Sequence, residues 1–465
     1  MVLINDNESL KIDEKSQMLL QKFNNTFVFD RRLFYADVSV SFVYADALFK
    51  AGILTRLESE RIKNGLQTIL KRAEYDANYF NGLAFEDVHT FIEERLVQLV
   101  GEPARKILIG RSRAEQISTA FRFWLRDEIA EISELAKKFQ KSLIQAGERQ
   151  IEAVLPTSNH LGKKCPSLWA HWCLAYYEMI SRDRERLDEV WRRVNVLPLG
   201  ADNNAGMLLE IDCEEVAHAL NFEGMAVNNL DAVSDRDFVV EFVGACAILI
   251  MHFSRFAADL ILYSSEEFQY LKFSNKEEAN SPLVSKEVYT EALETIRGKS
   301  GRIFGHQTAI LSTLKGLPLN FIKDMREALE AVFDTVDTVK LCLESSKIVL
   351  DLVVVNELKT KNAAKTNSLN SDRLADYLVQ RNVFINSAQE IARNIVHYAQ
   401  LKEKEIEELN LEELQKFSSV IEGDVYQFIK LESNLESKNL IGDTVSERVF
   451  ESLENAKKGL RFEEN

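Results

Sequence analysis

Proline and glycine are scarce in this chain, with 6 Pro and 18 Gly among 465 residues. Proline removes a backbone donor and clashes with the preceding helical turn, and glycine weakens helix interiors through its conformational freedom. A chain short of both is suited to long uninterrupted helices, and an all-α fold is expected. Basic charge is lacking as well: the formal net charge is −16, which argues against nucleic acid or an anionic membrane surface as partner. Cysteines number five (Cys165, Cys173, Cys213, Cys246, Cys342), an odd count with no CxxC spacing, so reduced thiols in a cytoplasmic protein are expected rather than a disulfide framework. The polar, acidic N-terminus is unlike a targeting peptide. The most apolar run, Phe238 to Phe253, contains Glu241 and is followed by Arg255, so it reads as a buried core helix too short to span a bilayer. No glycine-rich phosphate loop and no His/Cys ligand spacing is present, and no metal, nucleotide or redox cofactor is expected.

What is present is helical periodicity. Residues 1–104 read as an N-terminal domain of short helices ending at Gly101-Glu102-Pro103. Residues 105–358 read as a central long-helix bundle. Within it, one amphipathic pattern runs from Ser118 to about Val154, and a helix capped at Ser234-Asp235-Arg236-Asp237 is expected to reach about Phe268. The apolar positions Met325, Leu329, Val332, Val336, Val339 and Leu343 alternate in steps of four and three, and that helix is expected to continue to about Lys359. A seam this long suggests association through the bundle. The polar stretch from Lys359 reads as a boundary, and residues 359–465 as a small helical domain in which KEKEIEELNLEEL forms a solvated helix face.

Several runs, taken together and in order, carry a further signal: FDRRLFYADV at 29–38, FEDVHTFIEERL at 85–96, GRSRAEQ at 110–116, LDAVSDRDFVVEF at 230–242, IRGKSGRIFG at 296–305 and TLKGLPL at 313–319. In these runs the chain resembles the argininosuccinate lyases and the related delta-crystallins of the aspartase/fumarase superfamily. The resemblance implies a three-domain helical fold and a homotetramer whose active sites are shared between subunits. It also implies a small-molecule substrate whose C–N bond beside a carboxylate is broken by elimination. That reaction needs a base for a weakly acidic proton, an acid for the departing amine, and donors that stabilise the carbanion.

By this resemblance Ser281 occupies the position of the catalytic base and His160 belongs to the acid system. On residue type alone, a serine in a polar loop and a histidine at a helix start also have ordinary structural readings. The loop around Ser281 lacks the family's preceding glycine, second serine and Met-Pro pair. Glu287 stands where the family has a lysine that contacts the substrate carboxylate, and Tyr289 where it has an asparagine; Lys286 is the neighbour able to compensate. A charge pair at about 4 Å is worth roughly 1 to 4 kcal/mol, so reversing one sign swings the interaction by about twice that. Asn159 replaces a threonine, and Lys163 and Lys164 add positive charge beside it. Arg111, Ser112 and Arg113 are retained as candidate substrate contacts, whereas the family's asparagine is Ala114. His89 is kept, Thr26 replaces a serine, Lys323 is kept, and Arg326 replaces a glutamine.

Scaffold runs are thus kept while contact positions change. The departures favour an active C–N lyase, working in elimination or reverse addition, with altered substrate specificity. A scaffold of the same fold that has lost catalysis is the alternative. Ordinary argininosuccinate lyase activity is the remaining reading, set last because so many polar contacts to the arginine end are missing.

Overall fold

The computed structural model describes residues 13–81, 85–159, 163–200, 211–274, 286–319, 326–364, 367–429 and 446–462. The first half comprises α1 (Glu14–Asn24), α2 (Phe27–Asp30), α3 (Phe34–Lys50), α4 (Arg56–Tyr75), α5 (Val88–Val100), α6 (Arg113–Arg149), α7 (Trp169–Val194), α8 (Cys213–Ala219) and α9 (Asn229–Ser234). It continues with α10 (Asp237–Ser264), α11 (Lys286–Leu314), α12 (Glu327–Leu352), α13 (Glu357–Ala364), α14 (Asn367–Gln380), α15 (Ile385–Leu401), α16 (Leu411–Gln415), α17 (Val425–Ile429) and α18 (Ser446–Phe462). Strands are short: β1 (Val154–Asn159) pairs antiparallel with β2 (Lys163–Leu168), β3 (Val196–Leu197) pairs parallel with β4 (Gly224–Met225), and β5 (Leu271–Phe273) pairs antiparallel with β6 (Val353–Val355). The fold is all-α.

The chain forms two compact units. Unit 1 comprises residues 1–133, 185–247 and 302–338, and unit 2 comprises residues 134–184, 248–301 and 339–465.

In unit 1, local signals fix where helices begin. Thr55 and Glu58 close a reciprocal capping box at the start of α4. Asp87 caps α5, its Oδ1 accepting from Thr90 N at 2.8 Å. Gly101 ends α5 with φ +82°, a conformation that strains any residue with a Cβ. Gly65 on α4 serves a different need: a Cβ there would lie 2.7 Å from Leu96 and Val100 of α5, so the two helices approach through its bare backbone. Phe27, Phe34 and Phe91 bury an aromatic cluster beneath this corner, with ring centroids 5.3 Å apart for Phe27–Phe91 and 5.0 Å for Phe34–Phe80.

In unit 2, α14 and α15 form a helical hairpin. Leu374, Tyr377, Leu378 and Ile395 are fully buried in its core together with Leu414, Ile421 and Val425.

The long helices depart from the expected spans in instructive ways. The pattern from Ser118 begins earlier, at Arg113, and ends at Arg149, before the strand that opens at Val154. The helix expected to reach Lys359 stops at Leu352, because Val353–Val355, three consecutive β-branched residues, pair with β5 instead. Its seam residues Leu329, Val332, Val336, Val339 and Leu343 are buried as expected, while Met325 lies outside the described residues. The stretch from Lys359, expected as a polar boundary, is helical in α13 and again from Asn367. KEKEIEELNLEEL is not one solvated helix face: Ile406–Glu408 is a 3-10 turn, α16 follows, and Ile406, Leu409 and Leu414 are buried. Helix α10 spans 28 residues and by length and composition would suffice to cross a membrane, which corrects the expectation of a run too short to do so. Of its apolar window, 61% is buried inside the protein, the behaviour of a core helix. Cys173, Cys213, Cys246 and Cys342 are buried free thiols.

Candidate active site

Four of the residues singled out above, Thr26, His89, Arg113 and Arg326, converge in unit 1 on a cluster of carboxylates around the first turns of α5. At its centre lies Asp37, which is fully buried. Its Oδ2 lies 2.9 Å from His89 Nδ1, and the Gln116 amide donates to both carboxylate oxygens, at 3.2 and 3.0 Å. Burial pushes the Asp37 carboxyl up, but the nearby His89, Arg111 and Gln116 outweigh it and hold the group below the ordinary carboxylate value. His89 is therefore oriented by a carboxylate through one ring nitrogen.

A second carboxylate, Asp30, holds Thr26. The Thr26 hydroxyl donates to Asp30 Oδ2 at 2.6 Å and approaches the Glu86 carbonyl at 3.3 Å, while Asp30 Oδ1 accepts from Val88 N at 3.0 Å. Burial raises the Asp30 carboxyl; the Thr26 bond and His89 lower it, Asp87 raises it, and the balance leaves it above the ordinary value. Asp87 is the third. Arg326 donates to its Oδ2 at 3.2 Å, with the two side chains 15% and 4% exposed. Burial pushes Asp87 up, but His89, the Thr90 amide and Arg113 bring it below the ordinary value.

The retained arginines have structural partners. Arg113 forks onto Glu93 at 2.9 and 3.0 Å and also donates to Gln116 Oε1 at 2.8 Å. Arg111 is buried over the Tyr44 ring, 5.3 Å from its centroid, and donates to Ser41 Oγ at 3.1 Å. Its Nε has no hydrogen-bond partner among the described residues. Ser112 and Glu115 cap α6 reciprocally, Ser112 N donating to Glu115 Oε2 at 2.8 Å and Glu115 N to Ser112 Oγ at 3.2 Å. The other Glu115 oxygen accepts from Gly200 N at 2.7 Å. Ala114, at the position of the family's asparagine, is buried.

Unit 2 holds a different group. Glu287 is exposed in the first turn of α11, where a negative charge suits the helix dipole. Tyr289, two residues on, packs its ring against Phe273 of β5 at 5.4 Å. Asn159 and Lys163 face each other in the β1–β2 register, and Lys286 begins α11, but the side chains of all three lie outside the described residues. Ser281, His160 and Lys323 lie outside the described residues altogether.

Asp30, Asp37, Asp87, Glu93 and Gln116 were not singled out from the sequence. A signal for two of them exists: Asp37 interrupts an apolar run, and Asp87 directly precedes the apolar start of α5. A carboxylate placed among core residues needs a partner.

Residues 11–305 match the lyase family model, and residues 369–436 match that of the argininosuccinate lyase C-terminal region. The chain is 41% identical over 435 residues to the argininosuccinate lyase of Caldanaerobacter subterraneus subsp. tengcongensis, covering 93% of this chain and 97% of the relative. It is 39% identical over 453 residues to that of Geobacter sulfurreducens, covering 97% and 98%. Among solved structures, an EDDS lyase variant with bound fumarate matches with a TM-score of 0.79 at 21% identity, covering 93% and 87%. A fumarate lyase from Mesorhizobium sp. BNC1 matches with a TM-score of 0.74 at 16% identity, covering 94% and 97%. At such identities the structural likeness speaks for the fold alone.

Proposed function

The chain belongs to the argininosuccinate lyase family, and from that premise we propose that it catalyses a C–N bond-breaking elimination, with argininosuccinate as the first substrate to test. The observation that carries this reading is the identity of about 40% to argininosuccinate lyases over nearly the whole chain. It moves argininosuccinate from the last of the three sequence-based expectations to the first. The reaction takes a proton from the carbon beside the succinyl carboxylate and passes a proton to the departing amine. Ser281 and His160 are proposed for those two steps on resemblance. In unit 1, the buried Asp37 fixes the His89 ring and Asp30 fixes the Thr26 hydroxyl, which supports a role for both as pre-oriented polar groups.

A second reading keeps the reaction but changes the amine end. It is favoured by the buried Ala114, which offers no hydrogen bond, and by Arg326, whose guanidinium brings charge held by Asp87. Within either reading a homotetramer is proposed. In its support, unit 2 exposes Met251 and Leu262 on α10 and Leu341 and Ile348 on α12, apolar side chains that a monomer leaves in water.

The test is turnover of argininosuccinate and a panel of N-substituted aspartates, followed by fumarate absorbance, with Ser281→Ala as control. Argininosuccinate turnover lost in that variant supports the first reading. Turnover confined to other members of the panel supports the second. Silence across the panel from a folded protein would contradict both and leave a scaffold without catalysis.

A further inference from the structure

Three arginines stand at the corner around the first turns of α5, and they differ in how much of their hydrogen-bonding capacity is already used. A guanidinium carries five N–H donors in a planar fork. Arg113 spends both terminal nitrogens, on Glu93 and Gln116. Arg111 is buried, with Nη1 on Ser41 Oγ and an Nε that is sealed and unpaired among the described residues. Arg326, the residue before α12, makes one hydrogen bond among the described residues, from Nη2 to Asp87 Oδ2 at 3.2 Å. Its side chain is 15% exposed. Of the three, it combines the most spare donors with a side chain that reaches solvent.

The cause lies in the local sequence. An arginine and a carboxylate commonly close on each other with two parallel bonds. Asp87 cannot offer its second oxygen, because it is the N-cap of α5 and its Oδ1 accepts from Thr90 N at 2.8 Å. Arg326 is therefore anchored through one nitrogen by a buried carboxylate, while Nη1 and Nε stay unspent. The same helix start carries His89, oriented by Asp37, and Val88, whose amide donates to the Asp30 that holds Thr26.

A fixed guanidinium with a spare edge suits a planar monoanion, which it can meet with two N–H groups. A dianion would face Asp87 and Asp37 as like charges, and a purely cationic amine would meet Arg326 as one. The succinyl half is common to all N-substituted aspartates, so a residue that selects among them must read what the amine half adds.

We propose that Arg326 is a specificity-determining residue that binds a carboxylate on the amine half of the substrate, so that the amine released is an amino acid and not a simple amine. The assignment of that half rests on the lyase reading; the binding of the free amine does not require turnover.

L-arginine and agmatine, which is the same molecule without the carboxylate, separate the two. Isothermal titration calorimetry on the intact protein without fumarate is expected to show L-arginine bound about tenfold or more tighter than agmatine. Arg326→Gln is expected to abolish that preference by weakening L-arginine alone. Arg326→Lys, which keeps a charge beside Asp87 but lacks the fork, is expected to lose part of it. Unchanged agmatine binding and thermal denaturation report that both variants are folded. No binding of L-arginine up to about 10 mM, equal binding of the two ligands by the wild type, or a preference that survives in a folded Arg326→Gln would overturn the proposal. Turnover of argininosuccinate is measured on the same samples. Protein that discriminates the ligands through Arg326 but yields no fumarate would contradict the lyase reading and uphold the contact; active protein that does not discriminate would do the reverse.

Discussion

The corner around the N-terminus of α5 and the α14–α15 hairpin solve the problem of a core in opposite ways. The corner buries Asp30, Asp37, Asp87 and His89 and satisfies them with Thr26, Gln116, Arg326 and backbone amides. The hairpin buries alanines, leucines and a tyrosine, and keeps its charges at the rim. A polar core is held by particular partners, so losing one strands another in a medium that cannot solvate it. An alanine seam is held by close approach, so its weakness is added volume. The corner is the arrangement suited to fixing polar groups for chemistry, and the hairpin the one suited to leaving space.

The sharpest way to break this contrast is Asp37→Ala. It leaves His89 and the Gln116 amide without their buried acceptor, and removing one member of a buried pair costs about 3–5 kcal/mol. Urea denaturation at neutral pH measures it; a loss below about 1 kcal/mol would put the corner on the same footing as a surface pair. In the hairpin, Ala392→Leu is expected to destabilise by about 1–3 kcal/mol through overpacking, and an unchanged melting temperature would mean that the seam is not tight. Thr26→Val removes the hydroxyl that Asp30 accepts and is expected to cost about 1–2 kcal/mol.

The smallest effect is a change of slope. The folded-state pKa of Asp30 is raised, so this carboxyl stabilises the fold most below its ordinary value of 3.8, and that contribution is lost as pH rises through the folded value. Asp30→Asn, which keeps an acceptor for Val88 N and puts an amide donor where Asp30 Oδ2 accepted from the Thr26 hydroxyl, mimics the uncharged acid and is therefore expected to compare better with wild type at pH 7 than near pH 3. Asp37 has the opposite sign: its lowered pKa gives stability above 3.8 that is lost as pH falls through the folded value. Parallel pH curves for Asp30→Asn and wild type would refute the assigned shift.

The helices of this fold were legible from periodicity and capping: the Asp235–Asp237 start of α10 and the buried stripe of α12 fall where the pattern puts them. The end of α12 was not, because periodicity runs on through Val353–Val355 while strand pairing with β5, a contact between residues about eighty apart in sequence, decides the outcome. The site divides in the same manner. Thr26, His89, Arg111, Ser112, Arg113 and Arg326 could be named from motifs. Their pairing with Asp30, Asp37, Asp87 and Glu93 could not, even though Asp37 and Asp87 leave a signal in the sequence, since pairing is a property of packed elements and not of spacing. Glu287 and Tyr289 are the reverse case: the motif named them as departures, and the structure gives Tyr289 a partner, Phe273, that no motif contains.

The central claim, that this chain is a C–N lyase, is tested most directly in the addition direction. Purified protein is incubated with fumarate and L-arginine, and the product is followed by mass spectrometry, with Ser281→Ala alongside. The account predicts a product of argininosuccinate mass from the wild type and none from the variant. No addition product from a folded wild-type protein, or equal yields from both, would contradict it.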